Sequence, residues 1–440
     1  MLYSLNQFVF LCSLFKNECT IWIDADTYSQ KDIMNTLTSS PTRKQALDGI
    51  RVLDLATMLA APYCATVLGE FGADVIKVEL PGTGNTSRKF GTATPSGSSF
   101  MWLNEQRNKR CITLDLRKPQ GRELALKLAA KVDVIVENFM PGTLEKWGLS
   151  YETLKSVNED IILVRVSAYG QTGPYIDRPG FARVAHGFAG LAHLAGHADG
   201  PPVMPGSTSL GDYITGLYAA IGALVSLMAR QRHGIGQVVD IGLYEGVFRM
   251  LDEIAPVYAQ SGFIRQRMGA DTVNMVPHSH YEAADGRWVA LACTNDAMWA
   301  RMAAAMNRPD LAQPETYGIA KNRIAAREEV NRIVAAFAKT MNRDELMAHC
   351  LRFEVPIGPI YDIADIFKDP QYAARQNLVR MKTEDDGEVT IPNVLPKLSG
   401  TPGRIDWLGQ KLGQSNDYVY GDLLGISQQE RRELRDAGVI

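Results

Sequence analysis

Asp212 follows Gly211 at the head of an apolar stretch, Asp212 to Arg230, whose pattern predicts a long helix. An aspartate at that place has two roles open to it. It can cap the helix, its oxygen accepting from free amides of the first turn. It can also act as a carboxylate nucleophile, kept ionised by the helix N-terminus while the neighbouring glycine leaves the backbone open to a ligand. The two roles are compatible.

A second set of residues suits anion binding. Arg107-Asn108-Lys109-Arg110 precedes a strand, and reads either as a solvated loop or as a clamp for phosphate or carboxylate. Arg88, Arg117 and Lys146 could join it. Several cations without a glycine-rich phosphate loop suit a ligand whose phosphates lie along the surface. Gly82-Thr83-Gly84 follows a strand, but Ser87 stands where a dinucleotide fingerprint needs its third glycine. It therefore reads as a loop. His278 and His280 would share one face of a strand, yet no third ligand lies at a metal-site spacing, and no metal is expected. His186, His193, His197, His233 and His349 form no motif.

These residues must be held by regular elements. Ile50–Leu55, Ala73–Glu79, Arg110–Leu116, Val132–Glu137, Ile161–Ser167 and Gln237–Leu243 read as strands. Helical patterns at Pro62–Phe71, Gly121–Lys131, Ala182–Leu194 and Asp212–Arg230 fall between them. Such alternation predicts an α/β fold with a doubly wound parallel sheet. These sheets bind ligands beyond the carboxyl ends of their strands. Those loops are Ala56–Pro62, Leu80–Arg88, Asn138–Gly142 and Ala168–Pro174. From about residue 265 a second unit begins. It has a hairpin around Asp285-Gly286, helices at Asn295–Met306 and Arg327–Met341, and a strand at Glu354–Tyr361. The chain ends on a helix, Gln428–Ala437.

The 440 residues are 46% hydrophobic and 22% charged, with a formal charge of −3. That balance argues against a partner made of nucleic acid or anionic membrane, which calls for a basic excess. No unbroken apolar run reaches the ~18 residues of a membrane span. Six dilute cysteines without a CxxC pair argue against a disulfide scaffold or zinc ribbon and fit a reducing cytoplasm. The first 40 residues differ from the rest. Phe8–Phe15 is apolar without a basic lead, and Asp24 and Asp26 follow, so neither a secretory nor a mitochondrial leader fits. A loose extension, with Met34 as a second candidate start, is the simplest reading.

Several segments together resemble the family III CoA-transferases. They are Leu47-Asp48-Gly49-Ile50-Arg51-Val52-Leu53-Asp54, Phe71-Gly72-Ala73-Asp74-Val75-Ile76-Lys77-Val78-Glu79, and Asn108-Lys109-Arg110 with Leu114-Asp115-Leu116. Val136-Glu137-Asn138-Phe139 with Pro141-Gly142, Tyr169-Gly170-Gln171-Thr172-Gly173-Pro174, Gly211-Asp212-Tyr213 to Gly216, Val355–Tyr361 and Asp369-Pro370-Gln371 complete the match. The resemblance runs from about Leu47 to Ile440. It implies a Rossmann-like large domain and a smaller α+β domain joined by long linkers, in an interlocked-ring homodimer. Applied here, it divides the chain into an N-terminal extension (1–44), a large CoA-binding domain (45–245), a linker (246–270), a small domain (271–350), and a linker with C-terminal return (351–440).

The resemblance also implies that Asp212 is the nucleophile. Leu59 and Ala60, Leu114 and Arg117, and Asn138 and Phe139 with Lys146 would contact CoA, while Ala168, Tyr169 and Gly170 would approach the thioester. A carboxylate attacks an acyl-CoA and gives a mixed anhydride plus CoA thiolate. The thiolate returns to give an aspartyl-CoA thioester, and an acceptor acid then takes over the CoA. Each step exchanges acyl bonds of similar energy, so CoA thioesters serve as substrates and no permanently bound cofactor is expected. Amides near Gly211 or in the Tyr169-Gly170 loop are candidates to stabilise the oxyanions.

Two departures stand out. Members often carry Gly-Phe-Asp where this chain has Gly180-Phe181-Ala182-Arg183, and Gly-Glu-His where it has Gly413-Gln414-Ser415. Arg183 is the candidate to bind a second carboxylate. The Phe181–His186 segment most resembles the branch that moves CoA from succinyl-CoA to a dicarboxylic acid such as malate, citramalate or glutarate. Some members of that branch work with a sister subunit, so a hetero-oligomer is the other assembly expected. The rival readings are an α-methylacyl-CoA racemase, which would need a histidine where Phe181 stands, and a non-catalytic acyl-CoA-binding subunit.

Overall fold

In the computed structural model, residues 44–440 are described. The expectations for the N-terminal extension lie outside the described residues, apart from Lys44.

Six strands form one sheet: β1 Arg51–Asp54, β2 Asp74–Glu79, β3 Lys109–Thr113, β4 Val134–Glu137, β5 Ile162–Ser167 and β6 Val238–Gly242. Their order is β3-β2-β1-β4-β5-β6, and every neighbouring pair is parallel. A parallel sheet is covered on both faces, which is why β4 and β5 read as continuous apolar runs and are buried throughout. On one face lie the helices α1 Ala60–Glu70, α3 Ala182–Phe188, α4 Leu210–His233 and α5 Leu243–Arg249. Ala61, Cys64, Leu68, Ala219 and Ala223 there meet Val52, Val75, Val134 and Ile162 of the sheet. On the other face α2, Pro119–Ala129, buries Leu124 and Leu128 against Leu53, Ile76, Ile112 and Ile135.

The end of the chain joins that second core through Val419, Tyr420, Leu434 and Val439. Tyr420 Oη donates to the Thr113 carbonyl at 2.7 Å, and the Asp115 amide donates to the Val439 carbonyl at 2.8 Å. The carboxyl end of β3 is thereby closed over by the C-terminal segment.

A separate core surrounds a three-stranded antiparallel sheet, β7 His278–Glu282, β8 Trp288–Ala292 and β9 Ile357–Pro359. Trp299, Met302, Val330, Val334 and Leu346 from the helices that follow pack into it. Gly286 turns the β7–β8 hairpin at φ +75°. The strand predicted over Glu354–Tyr361 shortens to three residues. Glu354 takes a left-handed φ of +55°, and Pro356 has no amide to donate. A further hairpin, β10 Leu378–Lys382 with β11 Glu388–Pro392, was not predicted. It packs Val389 and Ile391 on Trp102 and Cys111.

Two other differences matter near the site. The helix predicted over Ala182–Leu194 ends at Phe188, because Gly190 turns the chain at φ +94° before a last turn, Leu191–Leu194. In addition, α4 is long and apolar enough to cross a membrane by length and composition, which the search for an unbroken apolar run overlooked. Its place here is the crossover from β5 to β6. Gly216 lets it approach α1 so closely that a Cβ would stand 2.5 Å from the Ala60 carbonyl oxygen.

Candidate active site

The strand order reverses between β1 and β4, and ligand crevices of open α/β sheets lie beyond such a switch point. Two loops flank it. Asn138, after β4, accepts from the Thr57 amide and donates to the Thr57 carbonyl, both at 2.7 Å. Glu137 accepts from the Phe139 amide at 2.7 Å and from Arg165 at 2.6 Å. The loop after β1 passes through Met58 at φ +60°, a conformation that costs a non-glycine residue roughly 1–2 kcal/mol. Leu59 then opens α1.

That loop is gripped from behind. Asp54, at the end of β1, is wholly buried with Lys77 at 3.0 Å and Lys109 at 2.9 Å, both also wholly buried. The ammonium of Lys77 also donates to the Ala56 carbonyl, and that of Lys109 to the Pro62 carbonyl at 2.6 Å. Burial alone would raise the Asp54 pKa, but the two cations outweigh it and hold it below its ordinary value. For Lys109 the balance is reversed, and burial pushes its pKa down despite Asp54.

The helix α4 runs back from β5 toward the start of β6, so its N-terminus lies at the carboxyl edge of the sheet. Asp212 is the third residue of that helix, and Ser209 holds the cap position. The expected capping role is therefore not the one Asp212 plays. Its carboxyl is half-buried, and desolvation pushes its pKa up to about 6. Tyr213 beside it turns inward, donating to Glu105 at 2.9 Å and meeting the Tyr63 ring edge-on at 4.9 Å.

The basic residues at the start of β3 are spent on structure, which corrects the clamp reading. Arg107 pairs with Glu70 and the Pro392 carbonyl. Asn108 ties down Arg404 and Asp406. Lys109 belongs to the Asp54 cluster, and Arg110 pairs with Asp74 at 2.9 Å. Arg88 is bidentate to Glu79 and stacks on Trp102. Arg117 is exposed and pairs with Asp115 at 2.8 Å. Lys146, at the end of the short helix Thr143–Lys146, is exposed and makes no ion pair with the described residues. His278 and His280 do share β7, but no group of three metal-ligating side chains occurs among the described residues.

With this geometry in place, comparison with known proteins decides the family. The model of CoA-transferase family III matches residues 47–416. The chain belongs to CoA-transferase family III. It is 50% identical over 395 residues to the succinyl-CoA–L-malate CoA-transferase alpha subunit of Chloroflexus aurantiacus, covering 90% of this chain and 92% of that one. It is 49% identical over 396 residues to the beta subunit of the Chloroflexus enzyme, covering 90% and 98%. A crystal structure of a CAIB/BAIF family protein from Brucella suis superposes with a TM-score of 0.77 at 32% identity, covering 87% of this chain and all of that one.

A family III CoA-transferase is an enzyme that takes CoA thioesters as substrates, and the remaining predicted contacts can be placed accordingly. Leu59 and Ala60 are buried at the head of α1, and Leu114 is buried in the core. Phe139 is half-buried with its ring edge-on to Trp147 at 4.9 Å. Ala168 and Tyr169 are half-buried after β5, followed by Gly170 at φ +89°. Two amides expected as free oxyanion donors are engaged. The Gly170 amide donates to Ser167 Oγ at 2.9 Å, and the Gly211 amide to His186 Nε2 at 2.8 Å.

Arg183 is exposed on α3 of the transferase. It lies close enough to His186, one turn on, to help burial depress that pKa. Sequence reasoning missed two features here. One is His186, whose only signal was its spacing of three from Arg183. The other is an aromatic cluster. The Tyr169 ring stands 5.1 Å from Phe188, which stands 4.9 Å from Tyr244, tying the loop after β5 to α3 and α5. No periodicity announces it, because its members come from three separate segments.

Proposed function

We propose that the chain moves CoA from succinyl-CoA to a dicarboxylic acid such as malate, with Asp212 as nucleophile. The observation that carries this reading is the carboxylate at the head of α4, half-buried and raised to about 6 by desolvation alone. Such a group is still mostly ionised at neutral pH, yet more basic and so a better nucleophile than an ordinary aspartate.

The steps balance without another reactant. The Asp212 carboxylate attacks the thioester carbon, the C–S bond breaks, and CoA thiolate leaves an aspartyl–succinyl anhydride. The thiolate attacks the aspartyl carbonyl and expels succinate. The acceptor carboxylate then attacks the aspartyl-CoA thioester, releasing thiolate and forming a second anhydride. Attack of that thiolate on the acceptor's acyl carbon frees Asp212 and the new thioester. Lys146, which makes no ion pair among the described residues, suits a CoA phosphate beside the Asn138-Phe139 loop, and exposed Arg183 suits the remote carboxylate of a diacid. Phe181, 67% exposed in place of an acid–base partner, speaks against α-proton exchange.

The assembly we propose is the interlocked dimer of large and small domains, as a homodimer or with a sister subunit. Leu217, Ile221, Val225 and Met228 form an exposed apolar stripe on α4 that begins just past Asp212. That stripe fits a site completed by another chain. The near-equal likeness to alpha and beta subunits leaves either pairing open to test by light scattering. The buried free thiols of Cys64, Cys111, Cys293 and Cys350 fit the cytoplasmic setting proposed from the sequence.

Mass spectrometry after mixing with succinyl-CoA and hydroxylamine tests the reaction. A hydroxamate on the Asp212 peptide, and new acyl-CoAs with chosen diacids, are the expected results. Binding of acyl-CoA with no adduct and no exchange would overturn the reading.

A further inference from the structure

The backbone just before Asp212 is held from both sides by groups that no reaction step uses. His186 is completely buried in α3. Its Nε2 accepts the Gly211 amide hydrogen at 2.8 Å, so that nitrogen carries no proton and the ring is the neutral Nδ1–H tautomer. The protonated Nδ1 faces Met204 Sδ at 3.3 Å. On the other side of the residue, the Gly211 carbonyl accepts from Thr215 Oγ1 at 2.7 Å, and that hydroxyl also reaches the Leu243 carbonyl.

The fit around Gly211 is tight. A Cβ there would stand 2.9 Å from His186 Nε2 and 3.4 Å from Val247 Cγ2. Ser209, at the cap position, makes no side-chain hydrogen bond to the first turn. The helix is therefore capped from a different element, by an imidazole. The choice of cap has a consequence for the carboxylate next door. An aspartate or glutamate cap would put a like charge beside Asp212, and a cationic ring could not accept. A neutral imidazole satisfies the amide and adds no charge.

We propose that His186 is a positioning residue for CoA transfer: by capping Gly211 it fixes the line along which the Asp212 carboxylate meets the thioester. The proposal rests on the reading of Asp212 as nucleophile. His186 touches neither substrate nor reacting atoms, and acts only through the Gly211 peptide.

The test compares His186→Leu, which removes the acceptor, with His186→Gln, whose amide oxygen can replace it, and with Asp212→Ala. Succinyl-CoA affinity, CoA exchange with malate and the melting temperature are measured for each. In His186→Leu, kcat is expected to fall about 100-fold, while succinyl-CoA affinity changes less than about threefold. His186→Gln is expected to recover kcat to within about tenfold of wild type. A Leu variant at wild-type kcat, or a Gln variant no better than Leu at equal melting temperature, would overturn the positioning role. Retained exchange in Asp212→Ala would instead remove the nucleophile itself, so the two failures are distinguishable. Nitrogen NMR of the wild-type protein needs no variant to fold. It should show His186 protonated at Nδ1 and bare at Nε2, and a proton on Nε2 at neutral pH would end the proposal.

Discussion

Gly216 places the helix that carries Asp212 against the carbonyl oxygen of Ala60, where a Cβ would come within 2.5 Å. The contact couples the helix that carries Asp212 to the head of α1. That oxygen is backbone and cannot swing away. Gly216→Ala should therefore separate α4 from α1 and destabilise the fold by about 1–3 kcal/mol. Its kcat/KM for acyl-CoA should fall as well. Thermal unfolding and exchange kinetics check both, and a variant with unchanged stability would mean that the helices part without cost.

The acid limb of the rate profile should belong to Asp212. With its pKa near 6, kcat/KM for succinyl-CoA should rise with pH through that value and level off above about pH 7. At pH 5 it should stand about tenfold below the plateau. A midpoint near 4 would place the carboxyl in open solvent before substrate arrives.

The same group should weaken the fold at neutral pH. Its folded-state pKa is raised above the ordinary 3.8. The stability it contributes is thus complete below about pH 4 and lost as pH rises through about 6. Asp212→Asn removes the buried charge. It should abolish the adduct yet unfold at higher temperature at pH 8, by roughly 2–3 kcal/mol, with the gain gone near pH 4. Denaturant titrations at the two pH values decide it.

Arg183 should discriminate among acceptors. Arg183→Gln would remove the proposed charge-assisted contact, a kind worth about 1.5–3 kcal/mol, so KM for a dicarboxylate acceptor should rise about 10- to 100-fold. KM for a monocarboxylate should hardly move. Equal effects on both would assign Arg183 to some other part of the reaction.

The Asp54 cluster should be a stability element of the crevice. Lys109→Met strips one of the two cations from a buried carboxylate and should cost about 3–5 kcal/mol. Because Asp54 is held below its ordinary value, the wild-type contribution is present above about pH 4 and is lost on acidification through the lower folded-state pKa. Urea midpoints at pH 7 for the two proteins test the magnitude. A loss of less than about 1 kcal/mol would mean that Lys77 alone neutralises Asp54.

Sequence alone determined the alternation of strands and helices, the loops at the carboxyl ends of the strands, and Asp212 at the head of α4. Each is a local signal. Buried parallel strands such as β4 and β5 are continuous apolar runs, and one glycine-flanked aspartate stands at the start of an apolar helix. The same local view could not see where long side chains end. Arg107 and Lys109 look like a ligand clamp until Glu70 and Asp54, 37 and 55 residues away in the chain, claim them. His186 looks unremarkable until α3 packs its ring on Gly211, 25 residues on. Only the tertiary structure decided which polar groups stay free for a ligand, because burial forces each charge and amide to find a partner wherever the fold supplies one.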